Sequence, residues 1–143
     1  MMVVLKEISR MSKKVEEYIN ITDEVRSIVA QSGVKDGVVF VITAHTTTGI
    51  MVNEALPCVE SDISDVLEKL VPLNAPYAHA HFLPSYGATG NNSQGHLKSM
   101  FAGNHCVFPV SGGALLAGSA QEIYLVEFDG PQLRKVFVEI MGE

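Results

Sequence analysis

The chain has 143 residues, 47% hydrophobic and 18% charged, with 10 Lys and Arg against 16 Asp and Glu and a formal charge of −6. That length buries the core of a single domain, 1–143, and that charge offers no basic patch to follow a nucleic-acid backbone and little attraction for an anionic membrane. Lys6, Glu7 and Arg10 interrupt any apolar leader, and the most apolar run, Val38 to Ala44, is too short to span a bilayer, so a cytoplasmic chain with Cys58 and Cys106 as reduced thiols is expected.

In chain order, Val3 to Ser9 and Val15 to Ile21 read as strands. The second alternates Val15, Glu17 and Ile19 against Glu16 and Tyr18, as a half-buried antiparallel strand would. Thr22 is placed to cap a helix whose first turn carries Asp23 and Glu24, and Gly33 to stop it. Gly37 to Ala44 is apolar on both faces and reads as a central strand. If it runs on, His45 shares a face with Val39, Val41 and Thr43. A return strand, Ile50 to Asn53, leads to Glu54.

Cys58 to Val71 is the longest helical pattern, with Val59, Ile63, Val66, Leu67 and Leu70 on one side. Ser93 to Phe101 reads as a short helix carrying His96, Lys98 and Ser99. Cys106 to Val110 and Ala114 to Leu116 flank Ser111-Gly112-Gly113, a hairpin signal. Glu122 to Phe128 and Arg134 to Met141 are long strands joined at Asp129-Gly130-Pro131. No regular βαβ alternation appears, so the expected fold is α+β, with packed, mainly antiparallel sheets and two main helices.

The candidate chemistry lies in Tyr77 to Lys98, a long polar stretch with three of the five histidines, His79, His81 and His96. On an extended segment His79 and His81 would point the same way. His96 and His45 add further imidazoles, the commonest nitrogen ligands of zinc. Each histidine taken alone is more often an ordinary surface or core residue. Glu127 shares a face with Ile123 and Leu125, where a carboxylate needs a partner. Glu54 is the second candidate acid. Thr46, Thr47, Asn91, Asn92, Ser93 and Ser99 could hold a phosphate, with Lys98 supplying charge, although turn chemistry explains most such residues.

Ordered along the chain, His45-Thr-Thr-Thr-Gly, Asn53-Glu54-Ala55, Tyr77-x-His79, Gly90-Asn91, His96-Leu-Lys98-Ser99, Gly118-x-x-Gln121, Glu127-Phe-Asp-Gly-Pro131 and Met141-Gly-Glu143 resemble the YjbQ family. The resemblance covers nearly the whole chain. It implies a compact α+β fold, a homotrimer, and a pocket for a divalent metal, zinc or magnesium. The histidines that match the family pattern are His45, His79 and His96, whereas His81 matches none. Members are often labelled secondary thiamine-phosphate synthases, so the resemblance implies a transferase joining a pyrimidine diphosphate to a thiazole phosphate. Glu127 and Glu54 are then candidate catalytic bases, and Thr46, Thr47, Asn91, Lys98 and Ser99 candidate ligands of a small phosphorylated molecule. A non-catalytic trimer binding a metal or anion, or a metal-dependent hydrolase, are the alternatives. The chain departs from the pattern at Ala120, usually Trp, at Leu56, often acidic, and at Ala80, often Asp.

Overall fold

The computed structural model describes residues 1–80 and 92–143. Among the described residues, eight strands and three α-helices follow one another: β1 (Met2–Met11), β2 (Glu17–Asn20), α1 (Thr22–Gln31), β3 (Gly37–Thr43), β4 (Thr48–Asn53), α2 (Pro57–Leu70), α3 (Ser93–Ala102), β5 (His105–Ser111), β6 (Ala114–Leu115), β7 (Glu122–Glu127) and β8 (Leu133–Gly142). A single 3₁₀ turn, Ala78–Ala80, precedes α3. The short helix expected at Ser93 is α3.

The strands form a five-stranded sheet, β1-β8-β3-β5-β6, and a three-stranded sheet, β2-β7-β4. Every described pairing is antiparallel. The hairpin at Gly112-Gly113 has positive φ at both positions, 60° and 79°, the backbone that a two-residue I′ turn needs and that glycine adopts without strain.

The alternation read from the strands fixes the layers. Ile8, Val39, Val41, Val136, Val138 and Ile140 point inward from the larger sheet and meet Ile19, Ile50, Ile123 and Leu125 of the smaller one. Val25 and Val29 of α1 close the side of this core. The smaller sheet's other face carries Tyr124, Val126 and Phe128, covered by Leu67 and Ile63 of α2 and Ala102 of α3. The layers thus run helices, small sheet, large sheet. The outer face of the large sheet has no covering element among the described residues, yet Val3, Leu5, Met11, Val107 and Leu133 stand on it, each 48% to 60% exposed.

Three local expectations change. β3 stops at Thr43, so His45 lies beyond the strand. Thr22 is the first residue of α1, not its cap. Its hydroxyl donates to Asn20 Oδ1 at 2.7 Å and accepts the Ile123 N–H at 2.8 Å. The pairs β3–β4 and β7–β8 are not hairpins, because in each the chain crosses from one sheet to the other. No helix among the described residues is long and apolar enough to cross a membrane.

Candidate functional site

The two sheet-to-sheet crossovers, 44–47 and 128–132, lie side by side at one end of the sandwich. The Phe128 N–H donates to Thr47 O at 3.1 Å, and the Ala44 N–H to Lys135 O at 3.2 Å. Glu127 joins them. It is fully buried, and both its oxygens are saturated. Ser12 Oγ (2.6 Å) and Arg134 Nε (2.7 Å) donate to Oε1, while Arg134 Nη2 (2.6 Å) and the Asp129 N–H (3.0 Å) donate to Oε2. Arg134 Nη2 also donates to Thr47 Oγ1 at 2.7 Å. Burial alone would raise the carboxyl's pKa, but the bonds from Arg134, Ser12 and the Asp129 amide outweigh it and hold Glu127 below the usual carboxylate range.

Close packing makes this corner possible. A Cβ at Gly130 would stand 2.2 Å from Lys14 O and 2.7 Å from Ser12 Oγ, so only glycine lets the crossover pass so near Ser12. Gly95 does the same for α3, where a Cβ would come 3.0 Å from Phe128 O. The start of α3 therefore rests on the crossover.

His45 sits at the head of the first crossover. Its Nε2 accepts the Lys135 N–H at 2.9 Å. An imidazole nitrogen that accepts carries a lone pair, so the neutral ring holds its proton on Nδ1. Burial, the Arg134 guanidinium and the Lys135 ammonium depress the His45 pKa below its ordinary value, against the opposing pull of Glu127.

His79 lies in the 3₁₀ turn, with its Nε2 2.9 Å from Asn92 Oδ1. Asn92 Nδ2 in turn donates to Asp129 Oδ2 at 3.0 Å. The His79 and His96 rings meet edge to face, with centroids 5.2 Å apart at 83°. Tyr77, His79, Ser93, His96 and Leu97 line a cavity of about 520 Å³ at the start of α3. His96 also borders a second cavity, of about 460 Å³, with His45, Thr46, Thr48 and Ser99. Among the described residues no side chain caps α3. The Ser93 hydroxyl is buried with no hydrogen-bond partner among the described residues, a costly state for a group in a cavity wall.

Several expected site residues go elsewhere. The Lys98 ammonium donates to Glu16 Oε1 at 2.8 Å and Glu68 Oε2 at 2.6 Å, and the residue is 4% exposed. Helix geometry explains this: two residues apart means roughly 200° around the axis, so Lys98 faces away from His96. Burial opposes its charge, but the two carboxylates raise its pKa. Ser99 Oγ donates to Thr46 O at 2.7 Å and to His96 O at 2.8 Å, which braces α3 against the first crossover. Thr47 is spent on Arg134. Glu54 is exposed past Asn53, at the opposite end of β4 from the crossovers. His81 and Asn91 lie outside the described residues.

The expected three-histidine metal shell does not fit this arrangement. The acceptor lone pair of His45 is engaged by the backbone, and among the described residues no group of three or more His, Cys, Asp or Glu could hold an ion. Arg134, Ser12 and Asp129 were not singled out from the sequence. Arg134 could have been, because it shares the inward face of β8 with Val136, Val138 and Ile140.

The architecture and the corner define an α+β protein of two packed antiparallel sheets, with a histidine-lined pocket where the chain passes between them. Residues 6–143 match the family described as UPF0047 protein YjbQ-like, and the chain belongs to that family. A UPF0047 protein of Archaeoglobus fulgidus is 38% identical over 135 residues, covering 94% of this chain and 99% of that one. YugU of Bacillus subtilis, also a UPF0047 protein, is 32% identical and covers 97% of this chain and 100% of its own. A solved Sulfolobus solfataricus structure, described as a YbjQ-like protein of unknown function, superposes with a TM-score of 0.91 at 34% identity over 99% of each chain.

Proposed function

We propose that the protein binds a small phosphorylated molecule in the cavity at the start of α3, with His79 and His96 as its hydrogen-bonding groups. The observation that carries this reading is the edge-to-face His79–His96 pair on the wall of a cavity of about 520 Å³. Uncapped amide groups at a helix start favour an anion there. The unsatisfied Ser93 hydroxyl gains a partner when a polar ligand arrives. Two neighbouring imidazoles can donate hydrogen bonds to a phosphate and accept them from its hydroxyls. The specific activity proposed is the one the resemblance implies, transfer of the pyrimidine group from its diphosphate to a thiazole phosphate, which forms thiamine phosphate and releases diphosphate.

Glu127 is assigned a holding role rather than that of a base, since all four of its acceptor positions are filled. Zinc or magnesium enters this reading only at His79 and His96, whose ring centroids lie 5.2 Å apart. The homotrimer is supported by the apolar outer face of the large sheet, which no element covers among the described residues and which further copies of the chain would cover.

Calorimetric titration with inorganic pyrophosphate, with a product assay for thiamine phosphate alongside, tests the pocket. His79→Ala and His96→Ala should each weaken pyrophosphate binding at least tenfold. Affinity unchanged in both variants would remove the pocket from consideration. Metal analysis of the same proteins tests the ion, and light scattering of Leu5→Lys tests the assembly. A wild-type monomer at micromolar concentration defeats the trimer.

A further inference from the structure

The amide of Asn92 touches two groups of fixed demand. Its Nδ2 stands 3.0 Å from Asp129 Oδ2, and a carboxylate can only accept. The amide must therefore present N–H to Asp129 and Oδ1 to the other side. On that side, 2.9 Å from Oδ1, is His79 Nε2. A carbonyl oxygen can only accept, so Nε2 carries a proton. The direction is dictated from one end: the acid orients the amide, and the amide holds the proton on Nε2.

Asp129 is itself fixed from three sides. Its N–H donates to Glu127 Oε2 at 3.0 Å. Gln132 Nε2 donates to its carbonyl at 2.7 Å and reaches Oδ2 at 3.3 Å. We infer that Asp129 is a positioning residue that, through Asn92, fixes the orientation of the His79 ring and holds a proton on its Nε2. His45 is locked the opposite way by the Lys135 N–H, with its proton on Nδ1. The two rings are thus fixed through different contacts, His45 by the Lys135 N–H of β8 and His79 by the side chain of Asn92. The use of His79 in binding rests on the reading above, whereas the proton on its Nε2 does not.

The test is nitrogen-15 NMR of the histidine rings in the full chain without ligand, at about pH 8, where an ordinary imidazole is neutral. His79→Gln assigns the signals. The wild type should show a ring N–H cross-peak on His79 Nε2, protected from exchange by the bond to Asn92. Asp129→Leu should lose that cross-peak. Asp129→Asn should keep it, because its side-chain oxygen still accepts from Asn92. The His45 signals report whether each variant is folded, and Asn92→Leu, expected to lose the cross-peak, replaces Asp129→Leu where that variant does not fold. A wild-type Nε2 without a proton, or a cross-peak unchanged in Asp129→Leu and in Asn92→Leu, overturns the inference. The wild-type Nε2–H signal together with absent pyrophosphate binding would sink the proposed function and leave this relay standing.

Discussion

Removing Arg134 should be among the most damaging single changes available to this fold. Arg134→Met deletes two charge-assisted bonds to Glu127 and one bond to Thr47, all between 2.6 and 2.7 Å. Met matches the stem of Arg in length, so packing is largely kept. What remains is a carboxylate with 0% exposure and no countercharge. Breaking a buried pair in this way costs about 3–5 kcal/mol, a large share of the roughly 5–15 kcal/mol that stabilises a domain. In a chain of this size that corresponds to a fall in Tm of roughly 10–20 °C. Urea unfolding followed by circular dichroism measures it. The sign of the pH dependence is also fixed. In the wild type the folded pKa of Glu127 is depressed, so its contribution is full above the ordinary carboxylate range and is lost as pH falls through the folded value. In Arg134→Met burial dominates, the folded pKa rises above the unfolded one, and the deficit shrinks on acidification. Glu127→Leu combined with Arg134→Met should recover part of the loss. A variant within about 1 kcal/mol of wild type at pH 7, a size typical of exposed pairs, would refute this account of the corner.

Gly130→Ala should destabilise by about 2 kcal/mol or more, since the new methyl meets backbone 2.2 Å away, and denaturant unfolding reads it. Lys98→Met should cost roughly 1–3 kcal/mol of stability by leaving the half-buried Glu16 without a countercharge, held only by Ser64 and Tyr18 among the described residues. The same variant should bind pyrophosphate as wild type does, and a tenfold loss of binding would return Lys98 to the pocket. The His45 ring should titrate by NMR below an ordinary histidine, so the stability it contributes is present above the ordinary histidine pKa and is lost as pH falls through the lowered value. Burial pushes the Cys106 thiol up to about 12, so alkylation at pH 8 should mark exposed Cys58 and spare Cys106 until the chain unfolds.

Most of the fold is legible in the sequence because alternation reports which side of a strand is buried. It does not report the strand's neighbour. β7 and β8 are adjacent in sequence and joined by a turn-like Asp129-Gly130-Pro131, yet they lie in different sheets. What separates them is pairing with distant strands, β8 with β1 and β3, β7 with β2 and β4. The histidines were found by residue type, and His79 with His96 do meet. Lys98 was misplaced although the information was present: its position two residues from His96 on one helix puts them on different faces. Arg134 and Asp129 escaped notice because their partners come from the other crossover, and no local spacing encodes that contact.

The choice of an ion pair for this corner calls for a physical reason, because an apolar pair of the same volume often holds a core as well or better. Apolar contacts are non-directional and would fix the distance between the crossovers without fixing their orientation. A carboxylate with four donors at set angles fixes both. Through one oxygen Glu127 sets the Asp129 amide, and with it the acid that faces Asn92. Through Arg134 it sets Thr47, two residues beyond His45. The histidines of the pocket therefore take their geometry from a group that does not enter it. Loosening Glu127 should disturb both rings at once, whereas loosening Asp129 should disturb His79 alone.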